Sequence, residues 1–383
     1  KVNDAYPLPE IATDESSETV SPRDIYYDPN TTLPSSFLNI LAVDVDGLRY
    51  DSLSIIADYS STIYMSESSL YLTFQKWKYY WGSFAEPVEV SDSSICTTTI
   101  YKIEVDGLTM AVTARGDVKG YPLNQFALDE HDGYLRIATT DGWWDDRTNA
   151  VFVLDDSLAI VGSLEDIAPN ESIYSARFVK DTLYLVTFRQ IDPFFVIDLT
   201  DPANPRLLGE LELPGFSTYL HPVDDEQILG IGIEKGCVKI SMFDISDPTA
   251  PVEKFRYVTE DNSYSEANWD HKAVLFDAKK ELLVIPATEM NFTYIDEYNY
   301  SYEYTQGAYV FKVSVDEGIE LRGIIEHGSS YVRRALYIGE YLYTISECFV
   351  KANLISDLSP VGALQYHEPQ CYDDWYGIGY RTF

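Results

Sequence analysis

The chain has 383 residues, 45% hydrophobic and 14% aromatic with 31 tyrosines, which argues against a disordered chain, because disordered chains lack the apolar area that offsets ordering entropy. Lys and Arg number 27 against 62 Asp and Glu, a net charge of −35, and this speaks against nucleic acid as a partner, since phosphate neutralisation needs a basic patch. No run reaches the roughly 18 apolar residues of a membrane span, and no signal peptide opens the sequence, whose first residue is Lys1. The expectation is that an upstream piece was removed or that the stretch starts partway through a gene product.

Residues 1–35 are rich in Pro, Ser, Asp and Glu without periodicity and read as an extended arm. FLNILAVDVDG (37–47) and SLSIIAD (52–58) then resemble the last two strands, c and d, of a four-stranded unit whose first two are missing from this stretch. A full unit follows in STIYMS, LYLTF, TTIYKIEVDG and MAVTARGDV (61–118), and a second in NQFALDEHDG, YLRIATT, NAVFVLDD and LAIVGSL (124–164). The third, Tyr174 to Gly215, is the most regular: ARFV, LYLVTF, FFVIDL and LLGELEL are separated by short Asp, Pro and Gly turns. Units at 218–258 and 271–328 repeat it, and the sixth, 333–366, ends in the weaker VKANLIS and VGALQY.

Short apolar runs bounded by turn residues are strands, and their recurrence at this period marks a repeat architecture. The sequence therefore predicts an all-β chain: a β-propeller of four-stranded antiparallel blades, six full and one half, seven-bladed when completed. The propeller covers 36–364, and 365–383 forms an aromatic tail. An Asp closes strand c in each unit (Asp46, Asp106, Asp155, Asp198, Asp244, Asp316), as expected of a turn cap accepting backbone amides. VDVDG lacks the spacing of a calcium loop.

SARFVKDTLYLVTFRQIDPFFVIDLTDPANP, PGFSTYLHP, DHKAVLF, GYLRIATT and RRALYIGEYLYTIS together resemble a family of archaeal and some bacterial secreted proteins with a C-terminal β-propeller domain, distantly related to WD-repeat proteins. The resemblance covers about Asp24 to Leu364. It implies further propeller sequence upstream, in agreement with the half blade, and brings no established activity.

In a meander blade the b–c loops and the start of strand a lie at one end. The long b–c excursions are 75–96, 140–148 and 289–306, all aromatic, and long loops on a rigid scaffold are where binding resides. Trp77, Tyr80, Trp81, Trp143 and Trp144 supply apolar faces that stack on sugars or pack the loops together. The strand-a starts place Asn124, Gln125, Arg177, Tyr219, His221, His271, Lys272, Arg333 and Arg334 at a channel mouth, a partly cationic ring suited to an anionic or carbohydrate ligand. Asp270, next to His271, is discounted as its partner because strand neighbours point to opposite faces.

Asn30, Asn170, Asn291 and Asn299 begin Asn-X-Ser/Thr sequons, which point to an extracellular or cell-surface glycoprotein. The four cysteines form no CxxC pair, so a zinc site is not expected; Cys348–Cys371 is the preferred disulfide, stapling the tail to the last blade. Asp296, Glu297 and Glu303 are candidate Ca²⁺ ligands or a solvated face, and no other cofactor is indicated. Hydrolase, metalloprotease, phosphate-loop and dinucleotide motifs are missing. The sequence thus reads as a non-catalytic structural or binding propeller. Unpaired strand edges suggest self-association or a retained upstream fragment. Two rivals stay open: a channel-mouth polysaccharide lyase or hydrolase using Arg177, His221, His271 and Arg334, and a calcium-dependent carbohydrate-binding module.

Overall fold

The computed structural model describes residues 8–12, 16–27, 36–47, 49–57, 60–77, 96–143, 146–188, 192–260, 262–294 and 300–367. Strands dominate, and the only helical pieces among these residues are single 3₁₀ turns. Six consecutive antiparallel meanders form the blades, with strands a to d in chain order. Blade 1 is Ser60–Met65, Ser69–Trp77, Cys96–Asp106 and Thr109–Lys119. Blade 2 is Leu128–His131, Tyr134–Asp141, Thr148–Leu154 and Ile160–Ile167. Blade 3 is Ser172–Val179, Thr182–Phe188, Asp192–Asp198 and Arg206–Leu213. Blade 4 is Phe216–Pro222, Gln227–Glu234, Cys237–Asp244 and Val252–Val258. Blade 6 is Val332–Ile338, Tyr341–Ser346, Phe349–Leu354 and Pro360–Gln365.

Blade 5 departs from the pattern. Its first strand is split into Asn262–Tyr264 and Leu275–Asp277, which pair with different parts of Leu282–Tyr294. Tyr300–Ser314 and Gly318–Glu326 complete it. The segment 289–306, read from sequence as a loop, is largely a long two-stranded extension, paired from Thr288 with Gln306 out to Tyr294 with Tyr300. Its tyrosines and threonines favour strands. In blade 1, residues 75–77 likewise continue the strand, with Trp77 opposite Cys96.

The arm is not simply extended. Glu10–Ala12 pairs with Ser17–Thr19, and Ile25–Tyr27 runs parallel to Arg49–Ala57, which is antiparallel to Ser36–Asp44. The half blade is therefore a three-stranded sheet, and the arm itself fills the outer edge of its last strand.

The chain divides into two compact units. One comprises residues 1–173, 178–183 and 197–206, the other 174–177, 184–196 and 207–383, so blade 3 contributes to both. In the first unit, Ile55 and Ala57 of the three-stranded sheet pack on Leu72, Phe74, Tyr101 and Ile103 of blade 1. Tyr71 and Ile100 meet Leu135, Ile137 and Phe152 of blade 2. In the second, Ile231, Ile240 and Met242 of blade 4 pack on Leu283, Ile285 and Tyr309 of blade 5, and Val284 and Val310 join Val332 and Leu342 of blade 6. Inner strands such as Tyr134–Asp141 are buried on both faces, while an outer strand such as Val252–Val258 alternates exposed with half-buried. This explains why inner strands read as continuous apolar runs and outer ones as alternation.

The Asp turns follow the expectation in three blades. Asp155 accepts the Ser157 N–H at 3.0 Å, Asp198 the Thr200 N–H at 2.9 Å and Asp244 the Ser246 N–H at 3.0 Å. In the half blade the cap is Asp44 rather than Asp46: Asp44 accepts the Gly47 N–H at 3.0 Å and pairs with Arg49 at 2.8 Å.

Candidate functional site

Strand alternation puts Tyr219 and His221 on one face, with Leu220, 1% exposed, between them on the other. The Tyr219 hydroxyl lies 3.0 Å from His221 Nδ1. Arg177, on the first strand of blade 3, donates from Nε to the Leu220 carbonyl at 2.9 Å, and its guanidinium carbon lies 5.4 Å from the centroid of the Tyr219 ring. His271 stacks on Tyr219 with centroids 6.4 Å apart and planes at 27°, and the His221 ring meets Phe276 edge-on at 5.1 Å. Arg177, Tyr219, His221 and His271 are therefore one cluster within one unit.

His271 does not stand on a strand. Asp270 caps the 3₁₀ turn His271–Ala273 by accepting the Lys272 N–H at 3.0 Å, as an N-cap carboxylate does. The alternation argument against Asp270 therefore fails, because the turn leaves Asp270 beside the cluster, where it bonds Arg334 at 2.5 Å. Ser265 caps the preceding turn, Glu266–Asn268, through the Ala267 N–H at 3.1 Å and anchors it to the Pro286 carbonyl at 2.5 Å.

That turn changes the charge of the site. Glu266 pairs with Arg333 at 2.8 Å and Arg334 at 3.2 Å, and Glu347 takes Arg333 at 2.6 Å. The two arginines expected to make the site cationic are thus held by three carboxylates, Glu266, Glu347 and Asp270. The carboxylates Glu266 and Glu347 raise the Arg333 pKa further. Burial, with the charge of Arg177 adding to it, pushes His221 down to about 4. Burial also lowers His271, against the opposing pull of Asp270. At neutral pH both imidazoles are neutral and can donate or accept one hydrogen bond each. Arg177 is itself lowered by burial but stays cationic at this pH. The cluster thus offers one guanidinium charge, neutral hydrogen-bonding rings and an aromatic face.

Other expected site residues lie elsewhere. Lys272 is exposed, its N–H committed to Asp270. Asn124 and Gln125 belong to the other unit and do not begin a strand: Asn124 accepts the Phe126 N–H at 2.9 Å and caps the turn Gln125–Ala127. Trp77 packs on Tyr121 at 5.1 Å and on Trp143 at 5.2 Å, so these rings hold each other, although Trp143 remains exposed. Gly142, at φ +101°, allows the turn before Trp143, since any Cβ there would collide with the Asp146 carbonyl. Asn170 sits half-buried in the link between blades 2 and 3 in a left-handed conformation, φ 72°. Asn291 and Glu303 face each other in register on the long hairpin. Asn30, Tyr80, Trp81, Trp144, Asp296, Glu297, Asn299 and Cys371 lie outside the described residues. Among the described residues, Cys96, Cys237 and Cys348 form no disulfide with one another.

Among the described residues no group of three or more His, Cys, Asp or Glu could hold a metal ion. A cavity of about 110 Å³ lined by Lys119, Asp141, Glu165 and Asp166 is small beside the roughly 300 Å³ at which ligand pockets begin. No helix among the described residues is long and apolar enough to cross a membrane. Sequence reasoning missed Glu266, whose partners lie more than 60 residues away, and Asn268, whose buried amide nitrogen and oxygen have no partner.

Residues 1–358 match the family described as beta propeller domain. The chain belongs to that family. This beta propeller is 40% identical over 248 residues to an uncharacterized protein of Archaeoglobus fulgidus, an overlap that is 64% of the chain and 36% of the relative. It is 43% identical over 253 residues to the uncharacterized protein MJ1554 of Methanocaldococcus jannaschii, 65% of the chain and 37% of the relative. The shared region is therefore well under half the length of these curated relatives. Among solved structures it is similar to the Pan2 WD40 domain of Neurospora crassa, with TM-score 0.42, 10% identity and coverage of 81% and 80%. Another is the dihydro-heme d1 dehydrogenase NirN in complex with DHE, with TM-score 0.40, 12% identity and coverage of 71% and 52%.

Proposed function

We propose that this beta propeller is a non-catalytic binding module of an extracellular or cell-surface protein, and that the cluster of Arg177, Tyr219, His221 and His271 seats a small acidic carbohydrate. The observation that carries the reading is the gathering of these four side chains around the Tyr219 ring, with Arg177 as their charge. A guanidinium matches a carboxylate in shape and charge. Tyrosine and neutral histidine faces suit the apolar face of a sugar ring, and neutral imidazoles hydrogen-bond hydroxyls without a desolvated second charge.

Titration calorimetry at pH 7 with an oligouronate and with its reduced, uncharged counterpart tests this. The charged ligand should bind, the neutral one at least about tenfold more weakly, and R177Q should abolish the difference. Equal binding of both ligands by the native protein and by R177Q would dismiss the site. Formation of unsaturated or hydrolysed product in the same mixture would replace the reading with the lyase or hydrolase.

The extracellular placement draws on the four sequons at Asn30, Asn170, Asn291 and Asn299 and on the net charge of −35. Glycopeptide mapping of protein from its native source should find at least one of these asparagines modified. The same reading includes assembly with further β-structure.

A further inference from the structure

Two groups of the ligand cluster meet at the Tyr219 hydroxyl. One is the Arg177 guanidinium, which is hydrogen-bonded to it. The other is His221 Nδ1, 3.0 Å away. A guanidinium carries donors only, so the hydroxyl oxygen is the acceptor in the first bond. A charged donor on that oxygen also polarises its O–H and makes the hydroxyl the better donor to a third group.

Charge sets the direction of the second bond. His221 is neutral at pH 7, so one ring nitrogen carries a hydrogen and the other a lone pair. Nδ1 faces an oxygen that already holds a cation. A lone pair there is attracted by the Arg177 charge, whereas an Nδ1–H would turn the positive end of its dipole towards it. Both rings are half-buried, which strengthens the preference over what it would be in water. We propose that Tyr219 is a positioning residue: its hydroxyl, held by Arg177, donates to His221 Nδ1 and fixes His221 as the Nε2–H tautomer, so that the imidazole meets the ligand as a donor. The assignment rests on the acidic-carbohydrate reading above and deepens it.

The fixed tautomer narrows the ligand chemistry. Which nitrogen of a histidine carries the proton is set by the bond the other one makes. Among the described residues His221 makes its hydrogen bond through Nδ1 alone, and Phe276, edge-on at 5.1 Å, holds the ring plane. A sugar hydroxyl both donates and accepts, so it could meet either tautomer. A carboxylate accepts only, so it needs a donor from both the guanidinium and the imidazole. Nε2–H beside Arg177 therefore matches the carboxylate of an acidic sugar better than its hydroxyls. Tyr219 thus acts twice, through its ring as the stacking face for His271 and through its hydroxyl on His221.

Long-range ¹H–¹⁵N correlation spectra of the histidine side chains at pH 7 test this. The chain has five histidines, and the signals lost in H221Q identify those of His221. The native protein should show His221 as a single Nε2–H tautomer. Y219F keeps the ring and removes the hydroxyl; it should show a mixture of tautomers and bind an oligouronate about three- to tenfold more weakly by calorimetry, the worth of one hydrogen bond. A purely structural role of Tyr219 would leave the tautomer unmoved. If Y219F does not fold, R177Q removes the charge that orients the pair and should give the same mixture. An Nδ1–H or mixed tautomer in the native protein would overturn the proposal, and oligouronate binding in that protein would leave the carbohydrate reading standing. Persistence of Nε2–H in Y219F would remove Tyr219 as the cause. Unchanged binding by Y219F despite a mixed tautomer would overturn the role of the imidazole towards the ligand. A fixed tautomer, lost in Y219F, in a protein that binds no oligouronate would support the hydrogen-bond chain and dismiss the carbohydrate reading.

Discussion

His327 has no part in the ligand cluster, yet it sets how the fold responds to acid. It is 2% exposed, with Nδ1 2.9 Å from the Ser346 hydroxyl and Nε2 2.8 Å from that of Thr344. Burial, and then the charge of Lys351, pushes it down to about 4. An unfolded histidine titrates near 6.5. In the interval between, the unfolded chain holds the extra proton, so stability is complete above about pH 6.5, falls as pH drops towards 4, and loses nothing more below that. The turn aspartates Asp155, Asp198 and Asp244 are held below 3.8, so their contribution is lost only at lower pH and does not blur this window. Urea unfolding at pH 7.0 and 4.5 should show a loss on the order of 2–3 kcal/mol for His327, with His221 adding to it. H327Q should flatten that slope. An unchanged slope in H327Q would assign the acid response to other groups.

At the scale of the strand and its turn, equal-looking aspartates should separate by what their carboxylates reach. Asp198 bonds the Thr200 N–H at 2.9 Å, the Thr200 hydroxyl at 2.6 Å and the Arg206 Nε at 2.9 Å. Asp106 ends its strand with no such bond. D198A should therefore cost about 1 kcal/mol of unfolding free energy and D106A a few tenths at most, compared by urea midpoints. Equal losses would mean that the aspartates act through charge alone. The same contrast shows how far the fold was legible. The blades could be read because each turn and each strand carries its own local signal, an Asp followed two residues later by Ser or Thr, or an unbroken apolar run. The hairpin around 289–306 was read as a loop because its polar residues mask a pairing that only its partner strand reveals. The turn at Asp270–Lys272 was read as strand because the apolar residues after it outweighed the N-cap. The ligand cluster was legible as a set of residues at the starts of the blades, but its net charge was not: Arg333 and Arg334 are held by Glu266 and Asp270, more than 60 residues away in sequence, together with Glu347.

For the molecule as a whole, the excess of 62 acidic over 27 basic residues makes every buried base consequential. Lys239 is buried on an inner strand of blade 4, 2.9 Å from Glu253 and 3.7 Å from Glu234, and it donates to the Pro214 carbonyl at 2.7 Å. In the other unit Lys102 joins Asp156 and Glu130 of blade 2, and Arg136 joins Asp129 and donates to the Lys180 carbonyl at 2.6 Å. These pairs tie strands to their neighbours where apolar contacts give way to polar ones. The surface repulsion of a −35 chain is screened by salt, whereas the buried group of Lys239 with Glu234 and Glu253 is screened far less. Raising salt from low to physiological should stabilise the native protein without replacing what these bases do. K239M leaves Glu253 without its cation and Glu234 with only the more exposed Arg256 at 3.4 Å, both carboxylate side chains being 10% exposed. Removing one side of a buried pair costs about 3–5 kcal/mol, while replacing the whole group by neutral residues is close to neutral. K239M should therefore lose that much at any salt concentration, and K239M/E234Q/E253Q should recover most of it. A K239M loss below 1 kcal/mol, or one erased by salt, would show that the lysine acts as an ordinary surface charge.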